Sequence, residues 1–511
     1  MAFASRLAVL LVAVAACSTP DTRIPSVDGA LALHVRYPSV ATRVPPSDSI
    51  ALWGTVGTGR ATLVVNNVRV SVEPNGTFAT FLPVPAGPSP SLHLVARHGV
   101  AVAESTIRLR RDDAAVARDD AAPVREDSKR SWSRWVTMRR PPSDTADSAT
   151  QSRPIYARWR PSGEVAIGIA QGIRLFADAR TDRWIRLRLA PDEHVWVPIL
   201  DVDTVTPPRG ELVRAGRLAI EHEQNAVRFV IPLSERLPSV VELSGDRLSW
   251  SVYGARWAVR PAPLAGDGRP IRRIVIRDTA PERLTVDLGL TMLPLGWRVD
   301  WHNGALQLLV RRPSQASPSL RGLRVTLDAG HPPDGTIGPS GLMEDSITLA
   351  VARLAAETLQ RLGAVVRLTR RDSVPLSLEA RAAIADRDPA QLFISIHLNA
   401  PGPGRPPDAV FGTQTYWMNP NGRALASVLL AEVARSMGHP AIGVYQGDYA
   451  VLRSAWATAA LVEGSGIVLP EREAFLRTPG GVAAYAQGVV NGIVRWQATA
   501  AMRELPTARR R

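Results

Sequence analysis

Cysteine is almost missing from this chain of 511 residues, with Cys17 the only one. The rest of the chain holds no thiol to mispair, which suits export to an oxidising compartment. Lysine is equally rare: Lys129 stands alone among 61 basic residues, so arginine carries the formal net charge of +14. A charge spread in this way reads as a compositional bias over a solvated surface. No nucleic-acid-binding motif accompanies it, and nucleic acid is excluded as a partner. Long apolar runs are missing too, since the one near the N-terminus covers only residues 7–16. A bilayer span needs about 20 residues. Nor is there an HExxH helix, which would supply two zinc-binding histidines from one element. What remains is 45% hydrophobic and 5% aromatic residues, a globular composition over a length that allows several packed cores.

The N-terminal text "MAFASRLAVLLVAVAACSTP" places Arg6 before the apolar run, and Ala15 and Ala16 directly before Cys17. This segment resembles a bacterial lipoprotein signal over residues 1–17. The resemblance implies that Cys17 is the lipidated first residue of the mature chain and that a lipid attaches the protein to a membrane. Ser18 in place of Asp does not match the inner-membrane retention signal, which in a two-membrane bacterium implies the periplasmic face of the outer membrane, with the periplasm as the alternative. An ordinary secretory signal with an incidental Cys17 is the plainer alternative.

Residues 45–110 alternate apolar and polar positions, as in "ATLVVNNVRVSV", and Asn75-Gly76 gives a hairpin signal before "TFATFLPV". A β-sandwich is expected, and "GTVGTGRATLVVNNVRVSVEPNGTF" is similar to bacterial Ig-like modules. Residues 111–153 mix charges, prolines and small polar residues and read as a disordered linker. Strand-like text resumes over 154–207, where Trp184 and Trp196 in "RWIRLRLAPDEHVWVPILDV" have a spacing similar to SH3-like wall-binding modules. Further short alternating runs fill 210–315. His194 and His302 read as ordinary strand or turn histidines, and the tryptophans as core more than sugar platforms.

At Leu323 the rhythm changes to strand, helix, strand. "RVTLDAG" leads to "EDSITLAVARLAAETLQRLG", in which Ile347, Val351, Leu354 and Leu362 fall on one face and Gly363 supplies the stop. A helix in "LEARAAIADR", strands in "QLFISIH" and "TQTYW", a helix over 423–437, a strand in "AALVEG" and a closing helix around "AAYAQGVVNGIVRW" follow. The expectation for 322–498 is an α/β domain with a mainly parallel sheet covered by helices. A basic tail covers 499–511. The whole is multidomain, β-rich modules followed by this α/β domain.

Ligand chemistry in such a domain gathers at the carboxyl ends of the strands. His331 follows "VTLD", His397 closes "LFISI", Glu463 closes "AALV", and Glu344 opens the helix after the first strand. Two imidazoles and a carboxylate form a usual zinc triad with a fourth position left open. The plainer reading gives His331 a turn and Glu344 a favoured place in a first helical turn.

"TLDAGH", the Glu344-Asp345 helix start, "LTRR", "LSLEARAAIAD", "LFISIHLNA" and "ALVEGSGIV" occur in an order and spacing similar to the zinc-dependent N-acetylmuramoyl-L-alanine amidases of the type-3 catalytic family. That resemblance implies one Zn2+ held by His331, Glu344 and His397, with Glu463 as the catalytic carboxylate. It implies peptidoglycan as substrate and cleavage of the amide between N-acetylmuramic acid and L-alanine. It also makes 210–315 similar to the β-domains that precede many wall amidases. Pro332 and Pro333 stand where the family commonly has two glycines, and Asp345 where it usually has lysine. Asp328 is a candidate for orienting a ligand imidazole, with turn formation the alternative. Asn399 fixes its loop or touches substrate. Arg370 and Arg381 are expected as internal ion-pair partners, with substrate clamping the alternative, and His439 as a helix cap.

Between Asn399 and Glu463 the text holds one strand, one helix and a loop. No spare helix is left to plug the cleft, as happens in regulated members of the family. The β-rich half is expected to deliver the enzyme to the wall, leaving the domain from 322 self-sufficient on small soluble substrates. Competing functions are a zinc peptidase acting within the stem peptide, and a degenerate wall-binding or activator protein. Retention of all four expected groups argues against the last.

Overall fold

The computed structural model describes residues 23–111, 130–139 and 154–499, apart from 41, 45–48, 162, 208–211, 260–263, 267, 269, 281, 314–316, 318 and 388–389. The signal segment with Cys17, most of the expected linker and nearly all of the basic tail therefore lie outside the described residues.

The first module holds two main antiparallel sheets. One joins His34–Tyr37, Ser49–Thr55 and Thr77–Pro83; the other joins Thr62–Val65, Val68–Val70, Ser91–His98 and Ala101–Arg108. They share one apolar core that includes Leu52, Leu63, Phe78, Leu92 and Leu94. The module begins earlier than the alternating text announced, because His34–Tyr37 pairs with the edge of Ser49–Thr55. "SIALWGT" at 49–55 is apolar on both faces. Ile50 and Leu52 point into the module's own core, while Ala51 and Trp53 belong to the core of the C-terminal domain.

A seven-stranded antiparallel sheet follows, and it corrects the linker assignment: Arg130–Met138 is a strand in it, paired with Arg174–Arg180 and Val202–Val205. The charged flanks masked a short apolar alternation in "VTM", whose Val136 and Met138 are buried. Residues 213–311 form four- and five-stranded sheets and a small parallel pair around Phe229, Trp250, Val286 and Leu308. Trp250, Trp257 and Trp297 are core residues. His194 is a strand residue whose Nε2 lies 3.0 Å from Asp178, and His302 ends a strand, as expected for both.

In the C-terminal domain the strands are β1 (Arg324–Ala329), β2 (Val365–Leu368), β3 (Leu392–Asn399), β4 (Thr413–Trp417), β5 (Ala441–Gln446) and β6 (Thr458–Gly466). The helices are α1 (Glu344–Arg361), α2 (Leu378–Arg387), α3 (Arg423–Met437), α4 (Pro470–Leu476) and α5 (Pro479–Ala498). The sheet order is β2-β1-β3-β6-β4-β5, parallel throughout except for the β4–β6 pair. Alternate residues separate its faces: Leu327, Ile394, Ile396, Ala460 and Val462 pack against α1, α3 and α5. Phe393, Ala459 and Leu461 pack with Ala385 of α2.

Two expectations need correction here. The buried stripe of α1 is Ile347, Val351, Ala352, Ala355, Ala356 and Leu359. Leu354 is only half-buried, and Leu362 is 46% exposed at the C-cap, because Gly363 (φ +90°) turns the chain one residue later. The Asn399–Glu463 connection also holds one strand more than expected, β5. Among the described residues its single α-helix is α3, whose Leu425, Leu429 and Val433 are buried in the core, so it does not plug the site.

Candidate metal centre

The site lies at the carboxyl ends of β1, β3 and β6, on the face covered by α2. Strand alternation puts Asp328, Ser395, His397 and Glu463 on that face, opposite the core-facing Leu327, Ile396 and Val462. Among the described residues, only His331, Glu344 and His397 form a cluster able to hold a metal ion, their ligand atoms all within 4.8 Å of one another. The imidazole rings stand edge to face, with centroids 4.9 Å apart.

Glu344 is the hub. Its Oε1 lies 3.3 Å from His331 Nε2 and 3.2 Å from His397 Nδ1. Backbone donors fix the carboxylate, with Leu398 N–H donating to Oε1 at 3.0 Å and Thr336 N–H to Oε2 at 3.0 Å. Burial pushes this acid's pKa up, but the hydrogen bonds and charges of both histidines outweigh burial and hold it well below the usual carboxylate range. The histidines respond in kind. Burial lowers each, yet Glu344 raises both above the ordinary value, helped at His397 by Glu463 and Asp328.

His331, two residues past the end of β1, has φ +58°, a left-handed backbone that turns the chain there. Its Nδ1 faces the Pro333 carbonyl at 3.0 Å, which leaves Nε2 as the ring nitrogen turned towards Glu344. Both bonds of His331-Pro332-Pro333 are cis. His397 sits against Gly330 so closely that a Cβ there would fall 2.4 Å from its ring, so the site demands glycine at 330. The donor set fits zinc: two imidazole nitrogens and one carboxylate held by backbone N–H donors.

Glu463 pairs in register with His397 on the neighbouring strand. Its Oε2 is enclosed and has no hydrogen-bond partner among the described residues. Burial, with Glu344 adding and both histidines opposing, pushes its pKa up to about 7. Behind it, the Tyr485 hydroxyl donates to the carbonyls of His397 (2.9 Å) and Val462 (3.0 Å), tying α5 to both catalytic strands.

The remaining sequence candidates take different places. Asp328 makes no hydrogen bond to an imidazole among the described residues. Its buried carboxylate instead accepts from Thr369 (2.6 Å), Arg381 (2.9 Å) and Ser395 (2.7 Å). Arg381 is thus an ion-pair partner as expected, and its Nη2 also donates to the carbonyls of His331 (2.8 Å) and Pro332 (2.9 Å). Arg370 differs from the expectation: its guanidinium donates to the carbonyls of Ala329, Gly330, Asp345 and Asp372 rather than pairing with a carboxylate. Together these arginines hold the backbone on both sides of His331. Asn399 ends β3 half-buried, and its carbonyl accepts from Ile467 N–H at 3.2 Å. His439 caps α3 through its backbone, whose N–H donates to Ala434 at 2.9 Å. Its ring is buried beside Phe475, and burial first, then Arg472, lowers its pKa to about 4, so it adds no cation to the helix end.

Sequence reading missed Glu473. This fully buried acid accepts from Ser340 N–H at 2.8 Å and Leu342 N–H at 3.0 Å, closing the loop between His331 and Glu344. A loop-binding role has no local signature, since its partners lie more than 130 residues upstream.

Residues 325–495 match the family described as N-acetylmuramoyl-L-alanine amidase. An uncharacterized protein of Bacillus subtilis, YqiI, is 33% identical over 175 residues, 32% of this chain and 82% of that protein. The probable cell wall amidase LytH of Staphylococcus aureus is 29% identical over 202 residues, 39% of this chain and 66% of its own length. Among solved structures, the catalytic domain of CwlV, an amidase of Bacillus (Paenibacillus) polymyxa, is 30% identical, with a TM-score of 0.32 over 34% of this chain and 97% of that domain. AmiC2 of Nostoc punctiforme is 27% identical, with a TM-score of 0.32 over 36% of this chain and 98% of its own.

Proposed function

Since the chain belongs to the N-acetylmuramoyl-L-alanine amidase family through residues 325–495, we propose that it hydrolyses the amide between N-acetylmuramic acid and the L-alanine of peptidoglycan stem peptides. The observation that carries this reading is one enclosed, unpartnered carboxylate oxygen on Glu463 beside the His331–Glu344–His397 cluster. His331, Glu344 and His397 would hold a single zinc ion. Zinc, when bound, supplies Lewis-acid activation of water and polarisation of the amide carbonyl.

The protein's own part is proton handling and alignment. Glu463, with a pKa near neutrality, takes a proton from the attacking water. As the C–N bond breaks, it returns a proton to the departing alanine nitrogen. The strand pairing with His397 holds it beside the cluster without a ligand's place in it. Leu398 and Thr336 N–H groups hold the Glu344 carboxylate in the orientation a ligand needs.

The test joins metal content to product identity. Purified protein should carry one zinc per chain, and His331→Ala and His397→Ala should each lose zinc and activity together. Mass spectrometry of digested peptidoglycan should find stem peptides with a free L-alanine amine and glycan strands without peptide. Full zinc in both variants would sink the metal assignment, and cuts only inside the stem peptide would make the protein a peptidase.

The same reading puts the protein in the cell envelope, and the lipoprotein-like signal adds a lipid on Cys17, at the periplasmic face of an outer membrane in a two-membrane bacterium, with the periplasm itself the alternative. No described helix is long and apolar enough to cross a membrane. Cys17→Ser should therefore move the protein from the membrane to the soluble fraction, and retention on membranes would require another anchor.

A further inference from the structure

The loop from His331 to Glu344 carries two of the three metal-binding side chains, and its outer side touches the first β-module. Trp53, on Ser49–Thr55, is only 4% exposed and stacks on Tyr37 with centroids 4.4 Å apart and planes at 15°. Its indole Nε1–H leaves the module and donates to the carbonyl of Ile337 at 2.9 Å. The neighbouring residue, Thr336, is bonded to Glu344 twice: its N–H donates to Glu344 Oε2, and its carbonyl accepts from Glu344 N–H, each at 3.0 Å. One peptide unit thus separates the tryptophan's bond from the backbone that orients the metal-binding carboxylate.

We infer that Trp53 is a positioning residue for the metal centre, supplied by a module some 280 residues upstream of the loop it fixes. The inference rests on the reading of His331, Glu344 and His397 as zinc ligands. Three observations carry it. The Trp53 bond ends on the loop itself; the loop closes on itself there through the Ile337–Met343 bridge, directly before Glu344; and Tyr37 fixes the plane of the donor ring. Groups that orient metal ligands from behind affect metal affinity by about 10- to 100-fold. Trp53 acts one step further out, so an effect of about tenfold is expected.

The test uses the full chain. In competition with a chelator, Trp53→Phe, which keeps a ring but loses the N–H, should bind zinc roughly tenfold more weakly. On a small soluble muramoyl-peptide at saturating zinc it should lower kcat with KM unchanged. Leu52→Ala, in the module's own core and away from the loop, should lower the unfolding midpoint while leaving zinc affinity as it was. If Trp53→Phe fails to fold, Tyr37→Ala replaces it, and zinc several-fold weaker is again expected. Wild-type zinc affinity in the Trp53 or Tyr37 variant, or equal weakening in Leu52→Ala, overturns the inference. Absence of zinc from the unaltered chain would overturn the metal reading as well, which separates the two failures.

Discussion

Glu463 and Glu344 are both carboxylates in the same small volume, and their surroundings drive them apart. Glu344 is met by two backbone N–H groups and two imidazoles, so its charged form is favoured despite deep burial. Glu463 shares the burial, but its Oε2 has no such partner, and its pKa rises to about 7. That split is what the proposed roles require, a ligand carboxylate kept charged and a proton carrier poised near neutrality. Glu463→Gln should accordingly retain one zinc per chain while turnover falls by roughly two to four powers of ten, the usual scale for a lost acid–base group. Metal analysis beside steady-state rates checks this, and loss of zinc in the variant would make Glu463 a ligand. His331, Glu344, His397 and Glu463 stood out in the sequence because each lies in or just after the last residues of a strand or opens a helix. Gly330 as the seat of the His397 ring was not, since only the folded approach of β1 to β3 creates the 2.4 Å constraint.

Among elements, those with strong local patterns were legible to their boundaries. The helix at 378–387, the strand at 413–417 and the helix at 423–437 were read residue for residue, the last closed by Gly438 at φ +64°. The misses share a physical cause. β5, "AIGVYQ", lies at the sheet edge with largely uncovered side chains, so no apolar alternation marks it. The strand at 130–138 was hidden by its charged flanks. Helix α1 was read on a stripe of Ile347, Val351, Leu354 and Leu362, of which the first two are buried, but close packing against α5 and the sheet selects alanine, so Ala352, Ala355 and Ala356 bury where Leu354 only partly does. The loop between β1 and α1 shows the limit most clearly. Its ends, His331 and Glu344, stood out in the sequence, while its restraints come from Arg370, Arg381, Glu473 and Trp53, four distant positions with no common motif. A loop with so few apolar residues of its own takes its conformation from such tertiary bonds.

At the scale of the molecule, the β-modules are bonded to the catalytic domain rather than strung before it. The Leu295 carbonyl accepts from Asn421 Nδ2 at 2.8 Å and from the Thr458 hydroxyl at 3.0 Å. Trp297 N–H donates to the Ala455 carbonyl at 2.8 Å, and Arg311 Nη1 to the Trp456 carbonyl at 2.9 Å. The guanidiniums of Arg298 and Arg311 both lie over the Trp456 ring, 4.1 and 4.8 Å from its centroid. Ala51 and Trp53 complete the apolar cluster of the catalytic domain from the other side. Self-sufficiency of the domain from residue 322, expected from the sequence, does not fit these joints. A chain beginning there leaves at least four hydrogen bonds and an apolar face unmade, at about 1 kcal/mol for each bond. For a domain of this size, each kcal/mol is worth about 2–4 °C in melting temperature, so the shortened chain should unfold on the order of 10 °C below the full one. It should also turn over a small soluble muramoyl-peptide more slowly, because the loop has lost Trp53. Calorimetry and initial rates on the two chains decide the matter. Equal midpoints and equal rates would leave the modules as delivery devices alone, whereas a loss of both makes them part of the active fold.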